Sequence, residues 1–175
     1  MAQRSTNDVV GIEPDLTPET LPLLDGYLRA IPHDTTQPVL ELVLAAVGCY
    51  FGEVVRRKLD GRWGLVSEDP ARWRIEMVNC YLHFRPVGMA AEVFRRGACE
   101  GFDGSLGTLD DDALGQMLAR AAPMSEDDYH SFGGRFDVLA LVVDWLVGQS
   151  MAQRNPPRVF GAEEYRVRLD DPQGS

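Results

Sequence analysis

Apolar residues between positions 17 and 59 recur every three or four residues, which is the period of an amphipathic helix. A first, short helix is predicted to begin at Thr17-Pro18 and to end at Ile31-Pro32. A second helix is predicted from Pro38 to Lys58, because three cations in its last turn suit the helix dipole and Asp60-Gly61 supplies a stop. Its length indicates the central helix of the domain.

The apolar period changes to two between residues 61 and 85, which predicts strands at 62–66, 72–78 and 80–85. In the second strand, Trp73, Ile75 and Met77 point to one face, and Arg72, Arg74 and Glu76 point to the other. This alternation is typical of an antiparallel sheet with one face on the core and one in water. The three strands predict a meander.

The pattern of the whole chain predicts the α+β class: a three-stranded meander packed against the long central helix, with additional helices. Further helices are predicted from Pro86, from Thr108 and from Ser125 to about Met151, with a glycine-rich loop at 97–107. Residues 1–14 are predicted to be a flexible N-terminus, 15–155 a single domain and 156–175 a tail. Within the tail, 165–169 alternates like an edge strand.

Composition narrows the class of protein. The 175 residues carry a net charge of −10, so the mean field repels polyanions and nucleic acid is not the expected partner. The three cysteines are widely spaced and show no zinc or redox pairing. The first ten residues lack the apolar core of a signal peptide, and 136–147 is too short to span a membrane. A cytoplasmic protein without membrane contact is therefore expected.

The central helix contains the most unusual segment, with Gly48 and Gly52 four residues apart. Each glycine costs about 1 kcal/mol relative to alanine in a helix, so something must offset it. One interpretation is a close helix crossing, with Glu53 paired to an arginine such as Arg62. The other is a groove in which Tyr50 and Glu53 meet a ligand or partner.

The outward face of the predicted sheet is the second candidate. It combines basic and aromatic residues on an acidic protein, namely Arg72, Arg74, Tyr81, His83 and Arg85. Such a patch suits an acidic partner, whereas the alternative is an ordinary solvated strand face that Glu76 partly neutralises.

Asp137 and Asp144 are the third candidate, because they lie seven residues apart on one face of an apolar helix. If buried, they would need partners or become protonated, and with Glu53 they would form a carboxylate group for acid–base chemistry or metal binding. The alternative places both at the solvent edge of the helix. Paired histidine motifs, nucleotide-binding glycine patterns and a serine nucleophile elbow are absent from the sequence, so neither a metal nor a cofactor is predicted.

The segment 48–63, GCYFGEVVRRKLDGRW, resembles uncharacterised bacterial domain families that place a glycine, an aromatic residue, Gly-Glu and then Gly-x-Trp across a helix-to-strand junction. The resemblance covers about 16 residues. It implies a small α+β fold and carries no catalytic residues over to this chain.

These patterns favour a non-enzymatic bacterial interaction protein of the immunity, adaptor or regulatory type, with another protein as its partner. One alternative is a small-molecule enzyme that uses Tyr50, Glu53 and Asp144 in a cleft beside the central helix. Another is a protein that binds an apolar ligand beneath Trp73 and the 101–107 loop. The sequence leaves the partner and the oligomeric state open.

Overall fold

The computed structural model describes residues 15–32, 34–121, 123–154 and 158–170. The helices are α1 (Leu21–Arg29), α2 (Gln37–Lys58), α3 (Pro86–Arg95), α4 (Asp111–Arg120), α5 (Glu126–Tyr129), α6 (Phe132–Ala152) and α7 (Ala162–Leu169). The strands are β1 (Gly61–Gly64), β2 (Arg74–Met77), β3 (Leu82–Phe84) and β4 (Leu106–Thr108). The predicted flexible segment 1–14 lies outside the described residues.

The fold class is α+β, as predicted, and the sheet is antiparallel in the order β1-β2-β3-β4. The first three strands form the predicted meander, with Gly61 opposite Met77 and Ile75 opposite Phe84. The prediction of three strands was wrong by one, because part of the glycine-rich loop pairs with β3 as β4. Three residues are too few for a period of two to show, so this strand depends on its partner.

Phe51 in α2 is the centre of the core. Its ring is fully buried and lies 6.3 Å from the ring of Phe84 in β3 and 5.2 Å from that of Phe132 in α6. The inward residues predicted for β2, Ile75 and Met77, are fully buried in the same cluster. The central helix therefore packs on one sheet face, as expected.

The two glycines of α2 mark close contacts with neighbouring elements. A Cβ built at Gly48 would lie 2.6 Å from Val87 Cα, so the backbones of α2 and α3 approach directly. A Cβ at Gly52 would lie 2.5 Å from the indole of Trp63 and 2.8 Å from Pro86. The helix-crossing interpretation of this segment is confirmed.

The C-terminal segment differs from its prediction, because 162–169 is helix α7 and not an edge strand. This helix lies against the second face of the sheet, where Tyr165 is fully buried and stacks on Tyr81 at 4.5 Å. Alternation over five residues is too short a signal to separate a strand from a helix with a single buried anchor.

Among the described residues, α2 is the one helix whose length and mean hydropathy of 1.7 would suit a membrane span. Core helices of water-soluble domains share both properties. In this fold α2 gives eight residues to the buried interior.

Replacement of Gly48 by alanine is expected to lower the free energy of unfolding by about 2 kcal/mol or more, because the added methyl group meets the backbone of Val87. Gly26→Ala is the matched control, since nothing lies within 4 Å of a Cβ there, and it should stabilise α1 by up to about 1 kcal/mol. Urea denaturation measures both changes. Equal stability of the two variants would contradict the crossing.

Candidate functional site

Tyr50 fixes the start of the α1 region. Its hydroxyl accepts the N–H of Leu16 at 3.1 Å and lies 2.8 Å from Thr20 Oγ1. The residue is half-buried, and its hydroxyl group holds the chain before α1 against α2. These contacts give Tyr50 a structural part and do not place it in an open groove.

Glu53 is surrounded by donors from its own helix and from β1. Its carboxylate accepts bonds from Arg56 and Arg57 at 2.7–2.8 Å and from the indole of Trp63 at 3.1 Å. The hydrogen bonds from Arg56 do most to lower the pKa of Glu53, to about 2, and Arg57 and Trp63 add to them. Glu53 is thus paired with arginines, as predicted, but the arginine named as an example, Arg62, pairs with Glu76 at 2.9 Å.

The sheet face predicted to be exposed is covered by α7. Arg74 is only 7% exposed, and its guanidinium group forms two bonds of 2.8 and 2.9 Å to Asp170 and one of 2.7 Å to Glu76. Tyr81 is buried under Tyr165. The expectation of a solvent-facing patch is therefore wrong for Arg74 and Tyr81, and the acidic group that meets this face belongs to the chain itself.

The other three members of the predicted patch, His83, Arg85 and Arg72, differ in their exposure and in their partners. His83 is half-buried, and burial lowers its pKa below the usual value. Arg85 is exposed and pairs with Asp103 at 2.8 Å, whereas Arg72 is exposed in the turn before β2. The five residues do not form one continuous surface.

Asp137 and Asp144 are both exposed on α6, so the solvent-edge alternative describes them. No contact joins Asp144 to Glu53 in the part of the chain that the structure describes. Within the same ranges, no three histidine, cysteine, aspartate or glutamate residues come together as a metal site requires.

A cleft of about 1110 Å³ lies between α3, the 104–106 segment, α4, α5 and α6. Its walls are mainly apolar, with Met89, Leu106, Leu114, Leu118, Val138 and Leu139 among the lining residues. The 101–107 loop contributes to it, as the ligand-binding alternative expected. Neither Trp73 nor α2 contributes to the lining of this cleft.

A buried ion pair stands in the wall of this cleft. Arg135 is 6% exposed, and its Nη2 donates to Glu92 Oε2 at 3.0 Å. The Tyr129 ring lies under the guanidinium carbon at 4.1 Å, and the Tyr129 hydroxyl accepts a bond of 3.3 Å from Nη1. The second Glu92 oxygen accepts the N–H of Gly104 at 3.1 Å, which fixes the loop on α3.

The Nε–H of Arg135 is buried and has no hydrogen-bond partner. An unpaired buried donor costs about 1–3 kcal/mol. Sequence reasoning missed both Arg135 and Glu92. The available signal was a charge inside each of two largely apolar runs, but a separation of 43 positions does not reveal that Arg135 and Glu92 pair.

Comparison with known proteins gives no match to a protein-family profile, to a curated protein or to a solved structure. The resemblance of segment 48–63 to bacterial domain families stays a prediction. Inference about function therefore depends on the geometry of the site.

Glu53→Gln is expected to lower stability at neutral pH, and the difference from the wild type should shrink as pH falls. The folded pKa of Glu53, about 2, is below its ordinary value of 4.5, so the ionised carboxylate stabilises the fold above pH 4.5 and loses this effect as pH falls towards 2. Urea denaturation across this range measures the change. Glu68→Gln, an exposed control, should follow the wild type at every pH, and a constant deficit for Glu53→Gln would contradict the assignment.

Proposed function

We propose that this protein binds a small, largely apolar molecule in the cleft between α3, α4, α5 and α6. The observation that carries the proposal is an apolar cleft whose wall holds Arg135, with a buried Nε–H that has no acceptor among the described residues. Ligand sites commonly combine apolar walls with a few fixed polar groups. Arg135 is fixed in this wall by Glu92 and Tyr129.

The charges around the cleft indicate what kind of ligand fits. Its lining includes the carboxylates of Glu92, Asp111 and Glu126 against the one guanidinium group of Arg135. An anionic ligand would meet this excess of negative charge, whereas a neutral carbonyl or ether oxygen can accept the Arg135 bond without repulsion. The ligand class is therefore an uncharged apolar molecule with a hydrogen-bond acceptor.

The contacts of the lining support binding rather than turnover. A nucleophile requires an adjacent base, and the described lining residues include neither histidine nor cysteine. Ser105 donates to Asp103 at 2.6 Å, and the Glu92 carboxylate is occupied by Arg135 and the Gly104 N–H. A non-enzymatic protein is the proposal that agrees with these contacts.

Nile red, which is neutral, apolar and carries a carbonyl acceptor, should bind the wild type with a rise in fluorescence. Gly115→Trp should weaken this binding at least about tenfold, or about 1.4 kcal/mol. Gly115 lines the cleft, and nothing lies within 4 Å of a Cβ there, so the indole can occupy the cleft without disturbing α4.

Gly148→Trp is the matched control, since this helical glycine is equally open and lies outside the lining. It should bind Nile red like the wild type. The anionic probe 1-anilinonaphthalene-8-sulfonate should bind more weakly than Nile red. Equal loss in both tryptophan variants, or none in either, would overturn the proposal.

The protein-interaction role stays a second proposal, supported by an exposed apolar stripe at the start of α2. Leu42 is 71% and Val39 52% exposed, and Ala46 continues the same helix face. Glu41 borders the stripe on a chain with net charge −10. The partner that fits is a protein segment with an apolar face framed by basic residues.

A synthetic amphipathic helix with leucines on one face and lysines beside them should bind the wild type, as measured by fluorescence anisotropy. Leu42→Asp should weaken binding at least about tenfold. Leu65→Asp is the control, because Leu65 is 63% exposed outside the stripe. Equal binding of a version with glutamates in place of the lysines would contradict the charge argument.

A further inference from the structure

A second cleft, of about 360 Å³, lies between α1, the end of α3 and the residue that follows α5. Four basic residues line it: Arg29, Arg95, Arg96 and His130. On a chain with net charge −10, this is a local concentration of positive charge. Leu28, Ile31, Val93 and Phe94 supply apolar walls.

Two of the three arginines form no ion pair within the part of the chain that the structure describes. Arg96 forms an ion pair with Asp127, whereas neither Arg29 nor Arg95 forms one with any carboxylate of the described ranges. Arg95 instead lies over the Phe94 ring at 5.7 Å. Two guanidinium groups are therefore available to an anion.

Asp25, a carboxylate that lines this cleft, is bonded to the backbone of α6. It is 7% exposed and accepts the N–H of Phe132 at 2.9 Å. Burial raises the pKa of Asp25 against the smaller opposing effect of Arg29. The Asp25 carboxylate is therefore bonded to the first residue of α6.

His130 adds a polar atom that requires a partner. Its Nδ1 is buried and has no hydrogen-bond partner among the described residues, while its ring lies edge-on to Tyr129 at 5.2 Å. A neutral imidazole nitrogen either donates or accepts, so a ligand with hydroxyl or oxyanion groups can satisfy it.

We propose that this cleft binds a small phosphate monoester whose organic part packs against the apolar wall formed by Leu28, Val93 and Phe94. A phosphate monoester carries a charge of about −1.5 to −2 at neutral pH and three strong acceptor oxygens. Two unpaired guanidinium groups match that charge, and guanidinium donors suit phosphate in two-bond geometry. The cleft volume of about 360 Å³ suits a small ester.

The test is titration of the protein with phenyl phosphate and with inorganic phosphate, followed by isothermal calorimetry and by amide and side-chain NMR shifts. Saturable binding of phenyl phosphate is expected, with shifts at Arg29, Arg95 and His130. Phenyl phosphate should bind more tightly than inorganic phosphate because of the apolar wall. NMR locates the site in the unmodified protein, independently of any variant.

The double variant Arg29→Gln/Arg95→Gln should weaken phenyl phosphate binding at least about tenfold, since it removes two charged donors to the phosphate oxygens. Arg72→Gln/Arg120→Gln is the matched control, because both residues are exposed outside this cleft and the change in net charge is the same. Absence of saturable binding at millimolar phenyl phosphate, shifts confined to other surfaces, or equal weakening in both double variants would overturn the proposal.

Discussion

The direct contact between the backbones of α2 and α3 is the constraint on which the rest of the structure depends. Gly48 lets Val87 approach to a distance at which no larger residue fits, and Gly52 leaves room for Trp63 and Pro86. Because α3 is fixed at its first turn, Glu92, five residues after Val87 on the same helix, is fixed as well. The α3 wall of the larger cleft is therefore positioned by two glycines of α2, although α2 itself does not line the cleft.

The sheet depends on a second anchor, which comes from the far end of the chain. The Tyr165 hydroxyl lies within 3.1 Å of the carbonyl oxygens of Met77, Cys80 and Leu82 and accepts the N–H of Leu82 at 3.0 Å. It thus provides partners for the polar backbone of the turn between β2 and β3. Asp170, at the end of α7, forms an ion pair with Arg74 of β2. This partner stabilises the buried guanidinium group, since buried ions require partners. The face of the sheet that carries Arg74 and Glu76 has the residue pattern of a solvent-exposed face, but α7 covers it and both residues are buried.

Much of the fold follows from local period, whereas most of the site does not. The helical period predicted α2, and the period of two predicted β1 to β3, because each depends on which residues face the core. Strand β4 and helix α7 depend on residues far away in the sequence. Gly107 of β4 pairs with His83 of β3, and Tyr165 of α7 bonds to the turn between β2 and β3. The pairing of Arg135 with Glu92 could not be predicted for the same reason, because it depends on the contact between α3 and α6, which are far apart in the sequence. The glycines of α2 correctly marked the segment that contains Glu53 as unusual. The sequence did not show that the donors to Glu53 are Arg56 and Arg57 of the same helix and Trp63 of β1.

The short helix α5 is the wall that the two clefts share. Tyr129 faces the larger cleft, under the guanidinium group of Arg135, and the next residue, His130, faces the smaller one. Asp127 on the same helix holds Arg96. A substitution that displaces α5 would alter both clefts together, because Glu126 and Tyr129 line the larger one and Asp127 pairs with Arg96 of the smaller one. Changes at Gly115 on one side and at Arg29 and Arg95 on the other leave this wall intact, so the occupancy of each cleft is separable by experiment.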